Sequence, residues 1–269
     1  MCRKRTKPFH VGSAAVVSSG PARSPGTANA AADRKITDYL FPATGPEFTT
    51  GAQIEGVIFA RSRDREADCL ARLGYHIPRV PARAAASADW ALTQLPDLAR
   101  IRRTASLGPP DQPFPFNQNP IPRNDLKRCQ SVAYQWYLPI DRAYHALARS
   151  WEAILTRTQA TSPVRATLGG LRACARRYGA RPSSIGSLAG FADWVLGHIN
   201  GSAELHDSPA RTRALERHWA PIFITCARPT VSVQERLQSA QRIIFLHRHH
   251  RQAQTLIALM KQALGRPGA

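Results

Sequence analysis

Apolar side chains recur every three or four residues through most of the C-terminal two-thirds of the chain. That spacing admits little besides amphipathic helices. Ile140, Tyr144, Leu147, Trp151 and Ile154 follow one another at steps of four, three, four and three, a stripe suited to burial. Tyr144 and Trp151 therefore read as core residues rather than as a base-stacking platform. Asn124 can cap a preceding helix that carries Leu126, Cys129, Ala133 and Trp136. Ser208-Pro209 starts another, with Leu215, Trp219, Ile222 and Cys226 inward and Pro221 disturbing it. A long helix is expected from about Val231 to Leu264. Its seam of Ile243, Leu246, His250, Ala253, Ile257, Met260 and Leu264 suits either a core helix or a homodimer contact through 243–264.

The fold class is thus mostly α: a helical bundle with a helix-turn-helix-like segment, one or two short N-terminal strands and a disordered basic N-terminal arm. Residues 1–35 are rich in Ser, Ala, Pro and Gly, and form that arm. Its cluster of Arg3, Lys4, Arg5 and Lys7 fits a nucleic-acid arm or import signal, an organelle transit peptide, or an untargeted tail. Residues 36–104 read as a small α/β region. Gln53–Ala60 has the β-branched and aromatic content of a strand that pairs with 36–41 or packs on helices. Asp64 and Ser87 can cap two short helices in this region, the second kinked or broken by Pro96. The Pro- and Asn-rich stretch 105–124 is a linker or loop. It leads into an α-helical domain over 125–266.

Composition matters through its charge. There are 37 Lys and Arg against 18 Asp and Glu, a formal charge of +19, and 32 of the basic residues are Arg. Such a surplus points to polyanions or anionic lipid surfaces. Arg in particular offers a planar fork suited to phosphate, although GC-rich coding DNA also raises the Arg share. A hydrophobic fraction of 43% is too high for a fully disordered chain. No apolar run is long enough to span a membrane.

The most informative segment is 168–196. Leu168, Leu171, Ala175 and Tyr178 mark one helix, and Gly179 can end it in the left-handed conformation. Ser183 can cap a second helix, with Ile185, Leu188, Ala189, Ala192 and Leu196 inside. This resembles a DNA-binding helix-turn-helix, with small Ala175 at the crossing. No acidic residue lies between Glu152 and Asp193, while Arg157, Arg165, Arg172, Arg176, Arg177 and Arg181 do. The second helix starts with Ser183, Ser184 and Ser187, which favours backbone contact over base reading. The candidate nucleic-acid-binding residues are therefore Arg172, Arg176, Arg177, Arg181, Ser183, Ser184 and Ser187. Arg248 and Arg251 join them from the His-rich stretch near 247–250. Plain packing of two bundle helices around a Gly explains the same pattern.

Catalytic patterns are missing from the sequence. No phosphate loop, His-Glu-x-x-His, nucleophile elbow or Cys-x-x-Cys occurs. Asp64, Glu66 and Asp68 alternate with Arg61, Arg63 and Arg65, as on a solvated charged face. His247 and His250 share a helical face, but no Cys, Asp or Glu nearby completes a metal shell. No catalytic residue, metal ligand or cofactor is assigned. Cys2, Cys69, Cys129, Cys174 and Cys226 are odd in number and dispersed, which suggests structural thiols in a reducing compartment. Ile36-Thr37-Asp38-Tyr39-Leu40 resembles the peptide with which some eukaryotic replication and repair proteins bind the sliding clamp, with Asp33 where Gln is usual. That resemblance makes 36–41 a candidate protein-binding site.

These readings favour a nucleic-acid-binding protein, DNA or RNA, without a membrane span. Its location would be intracellular: nuclear in a eukaryote or virus, cytoplasmic in a bacterium, with organelle targeting open. The alternative is a non-enzymatic accessory or effector-type adaptor that binds partner proteins through its helices.

Overall fold

The computed structural model describes residues 25–79, 95–107, 121–181, 185–204 and 209–265. Their regular structure is entirely helical. In order come α1 (Pro25–Leu40), α2 (Gly45–Arg72), α3 (Leu98–Thr104), α4 (Arg123–Gln159), α5 (Ser162–Arg176), α6 (Leu188–Glu204), α7 (Pro209–Arg248) and α8 (His250–Gly265). The expected mostly helical bundle is present. Two long helices, α4 and α7, organise it. Helix α2 and helix α8 pack on α4, while α3, α5 and α6 pack on α7.

The two axes meet around Phe245, whose ring lies 5.4 Å from Trp151 of α4 and 5.3 Å from Phe41 after α1. One buried cluster runs from Ile36 through Ile140, Phe191 and Phe223 to Ala263. Trp151 is core, as its place in the stripe predicts, and its indole N–H donates to the Pro42 carbonyl at 3.2 Å. Burial also pushes the Tyr144 hydroxyl up to about 12, with Glu152 and Tyr137 adding to the effect.

The N-terminal strand is overturned. Residues 53–60 belong to α2, a helix of 28 residues. Its start is anchored by Glu47, whose carboxylate accepts from the Ala43 and Thr44 N–H groups at 2.8 and 3.0 Å. Phe48 and Ile58 are buried and Ile54 packs beside them, so the run turns a helical face to α1 and α4. β-branched content loses here to tertiary packing. The arm is also shorter than expected, because 25–35 lie in α1, whose Ala-rich sequence favours helix. Residues 36–41 end that helix, with Ile36, Leu40 and Phe41 buried. They do not form an exposed peptide for a partner.

Other boundaries shift. Two expected helices around 124–154 are one continuous α4, which runs through Pro139. Helix α7 runs through Pro221 and Pro229 and stops at Arg248, so the expected 231–264 helix is divided at His249. Ala253, Ile257 and Met260 of its seam are buried within this chain, whereas Ile243 is 72% exposed. Of the helix expected to start at Ser87, the part beyond Pro96 is α3, which Asp97 caps by accepting from the Arg100 N–H; Ser87 and most of 105–124 lie outside the described residues.

The cysteines are corrected too. Cys69 of α2 bonds Cys129 of α4, and Cys174 of α5 bonds Cys226 of α7, with Cα–Cα separations of 5.4 and 5.5 Å. Facing helices bring together residues 60 and 52 positions apart in sequence, a pairing that local spacing does not reveal.

Candidate functional site

Gly179 behaves as its position predicts. Its φ is +94°, in the region that favours glycine. Ala175 is fully buried at the crossing, and Ile185 and Leu188 are buried after it. The second helix departs from the expectation. Helix α6 begins at Leu188 rather than near Ser183, and Ser187 caps it by accepting from the Gly190 N–H at 3.0 Å. The link from Arg177 to Ser187 is much longer than the three or four residues of a helix-turn-helix corner. Ser183 and Ser184 lie outside the described residues.

Helix α6 buries one face against α7. Phe191 stacks on Phe223 of α7 at 5.2 Å, and Trp194 meets Trp219 edge-on at 5.2 Å. The helix carries Asp193 and Glu204 but no Lys or Arg. A groove-reading role for it finds no cation here.

The arginines of α5 are placed differently. Arg172, Arg176, Arg177 and Arg181 are all exposed. Among the described residues no ion pair engages Arg172, Arg176 or Arg177. Helix α5 runs antiparallel to α7, since Cys174 meets Cys226 and the Thr167 hydroxyl donates to that of Thr230. Arg248 lies 22 residues beyond Cys226 on α7. At 1.5 Å per residue that is about 33 Å. The candidate residues therefore form two separate groups: the α5 arginines, and Arg248 with Arg251.

No protein-family model matches the chain, and no curated protein or solved structure detectably resembles it.

Arg248 has neighbours that local sequence did not supply. It lines a cleft of about 450 Å³ between α4 and α7 with Arg149, Arg157, His249, Ser150 and Gln241, over Ala153, Ile154, Ile244 and Phe245. No acidic residue is part of that lining. Arg149, Arg157 and Arg248 are exposed and engage no ion pair among the described residues. His249 is held by its Nδ1 contact with Gln252 Oε1 at 2.9 Å and packs 4.6 Å from the Phe245 ring. The signal available in sequence was the step of eight from Arg149 to Arg157, with small Ala153 midway on the same helical face.

The carboxylates of α1 and α2 contrast. Glu66, expected on a solvated face, is 3% exposed and paired with Arg63. Asp64 and Asp68 both pair with Arg79. Arg242 bridges Asp38 at 3.2 Å and Glu47 at 2.8 Å. Burial raises the Asp38 carboxyl, Glu47 raises it further, and Arg242 pulls the other way. Among the described residues no group of three His, Cys, Asp or Glu is arranged to hold a metal ion. No helix among them is long and apolar enough to cross a membrane.

Proposed function

We propose that this protein binds nucleic acid, chiefly through phosphate-backbone contacts. One observation carries the reading: exposed Arg172 and Arg176 on α5, and Arg177 at its C-cap, stand without carboxylate partners among the described residues. Guanidinium forks without local counter-charge suit phosphate. Arg181, Ser183, Ser184 and Ser187 follow in sequence and would contribute further contacts. Arg248 and Arg251 offer a second, distant group. The lack of cations on α6 favours contact that does not depend on sequence, DNA or RNA, over the groove reading of a helix-turn-helix.

The test is a salt titration of binding to a duplex and to a single strand of the same length. Affinity should fall linearly on a log-log plot of binding constant against salt. Removing Arg172 or Arg176 should lower the slope by about one unit each. Absence of any salt-dependent binding would remove the proposal.

A second reading is an accessory or effector-type adaptor that acts on a partner protein. The two disulfides favour it, because such bonds persist mainly in oxidising compartments rather than in the nucleus or cytosol. Partners captured by the full chain and retained after nuclease digestion would support the adaptor. Partners lost on digestion would support the nucleic-acid reading.

A further inference from the structure

We infer that the cleft between α4 and α7 is a binding site for a ligand that carries several clustered phosphates. Three guanidinium groups arrive from two helices: Arg149 and Arg157 from α4, and Arg248 from α7. Arg149 and Arg157 are eight residues apart on a continuous helix, hence about 12 Å along its axis. A single carboxylate or phosphate does not span that distance, but a chain of phosphates does. The planar fork of each Arg can take two phosphate oxygens.

The surroundings agree. Glu152 lies on the same helix, but it lines a neighbouring depression beyond Arg149 and not this cleft. The floor is firm. Phe245 is buried against Trp151 and Phe41, and His249 packs on its outer side. Ser150 and Gln241 add neutral hydrogen-bonding groups. The volume of about 450 Å³ lies in the range of small-molecule sites. Two sources supply the same chemistry: a free nucleoside polyphosphate, or the phosphates of a nucleic-acid strand. The inference deepens the nucleic-acid reading in the second case and stands without it in the first.

The experiment is calorimetric titration of the full-length, oxidised protein with inorganic tripolyphosphate, with ATP and with a 5′-phosphorylated 12-mer of single-stranded DNA. Tripolyphosphate should bind with a stoichiometry near one. The double variant Arg149→Ser with Arg157→Ser should weaken it by about tenfold or more. The matched double variant Arg213→Ser with Arg217→Ser, which removes the same charge elsewhere on α7, should leave it within about twofold, as expected of distant exposed charges. All four positions are exposed, so folding tolerates the changes. Tighter ATP than 12-mer binding in the cleft marks a nucleotide site, and the reverse marks a strand site. Equal losses from both double variants, or no saturable tripolyphosphate binding, would overturn the inference. If tripolyphosphate binds as expected while duplex and strand do not, the nucleic-acid reading fails and the cleft stands.

Discussion

Residues 25–141 and residues 142–269 handle charge in opposite ways. The first stretch holds fourteen Lys and Arg against twelve Asp and Glu; the second holds eighteen against six. In the first, carboxylates meet cations. Asp64 and Asp68 share Arg79, Glu66 takes Arg63, and Asp33, Asp38 and Glu47 reach across to Lys261 and Arg242. In the second, Arg149, Arg157, Arg172, Arg176 and Arg248 pair with nothing among the described residues. In the first stretch, part of the charge ties α1 and α2 to α7 and α8. In the second, several cations stand unpaired, and their self-repulsion is a cost that salt or a polyanion would relieve.

The largest expected effect tests whether the two ends are held equally by covalent bonds. The loops closed by Cys69–Cys129 and Cys174–Cys226 differ little in length, 60 against 52 residues. Loop-closure entropy assigns each bond about 4 kcal/mol and a difference near 0.1 kcal/mol. Replacing either pair by Ala should therefore lower urea stability by similar amounts. A much larger loss for Cys174 and Cys226 would mean that the cationic end depends on its staple to offset repulsion. High salt should then recover part of that loss.

The next effect separates structural from available arginine. Arg242 is 19% exposed and holds two partly buried carboxylates. Arg242→Ala leaves Asp38 and Glu47 facing each other with only the weaker pull of Arg34 on Asp38, and should cost about 3 kcal/mol. Arg172→Ala, exposed and without a pair, should change stability by less than about 0.5 kcal/mol. Comparable losses from the two variants would erase the distinction. In binding the order should reverse. Arg172→Ala should lower the salt slope for nucleic acid by about one unit, whereas Arg63→Ala should not move it.

How much of this was legible in the sequence depends on how local the cause is. The stripe from Ile140 to Ile154 names a helix because every residue in it obeys one period. Gly179 names a turn because only its own backbone is involved. Residues 53–60 misled for the opposite reason. Their composition suits a strand, yet Ile54 and Ile58 are four apart and meet α1 and α4 through contacts that no window contains. Ser183 is a good cap on paper, yet α6 starts after Ser187, where Phe191 can stack on Phe223 of α7. The cleft was half legible. Arg248 stands out beside the His cluster, but Arg149 and Arg157 join it from about ninety residues upstream. The disulfides share that limit, since dispersed cysteines carry no sign of which helices will face each other.

The smallest expected effect lies at the junction of the two stretches. Glu235 of α7 accepts from the Gly45 N–H at the start of α2, at 3.0 Å. Burial raises its carboxyl above the usual range, against the lowering pull of that backbone bond. A folded state that holds its proton more tightly than the unfolded chain loses stability as pH rises through the window between the two values. For a raised carboxylate that window opens at the ordinary Glu value, about 4.3, and extends upward from there. Glu235→Gln keeps an acceptor for Gly45 and removes the titrating charge. The variant should flatten the fall in stability across that window and be slightly more stable than the parent at neutral pH, as read by urea unfolding at several pH values. A variant less stable at neutral pH would show instead that the ionised carboxylate, and not merely an acceptor, is what fastens the cationic helix α7 to the balanced end.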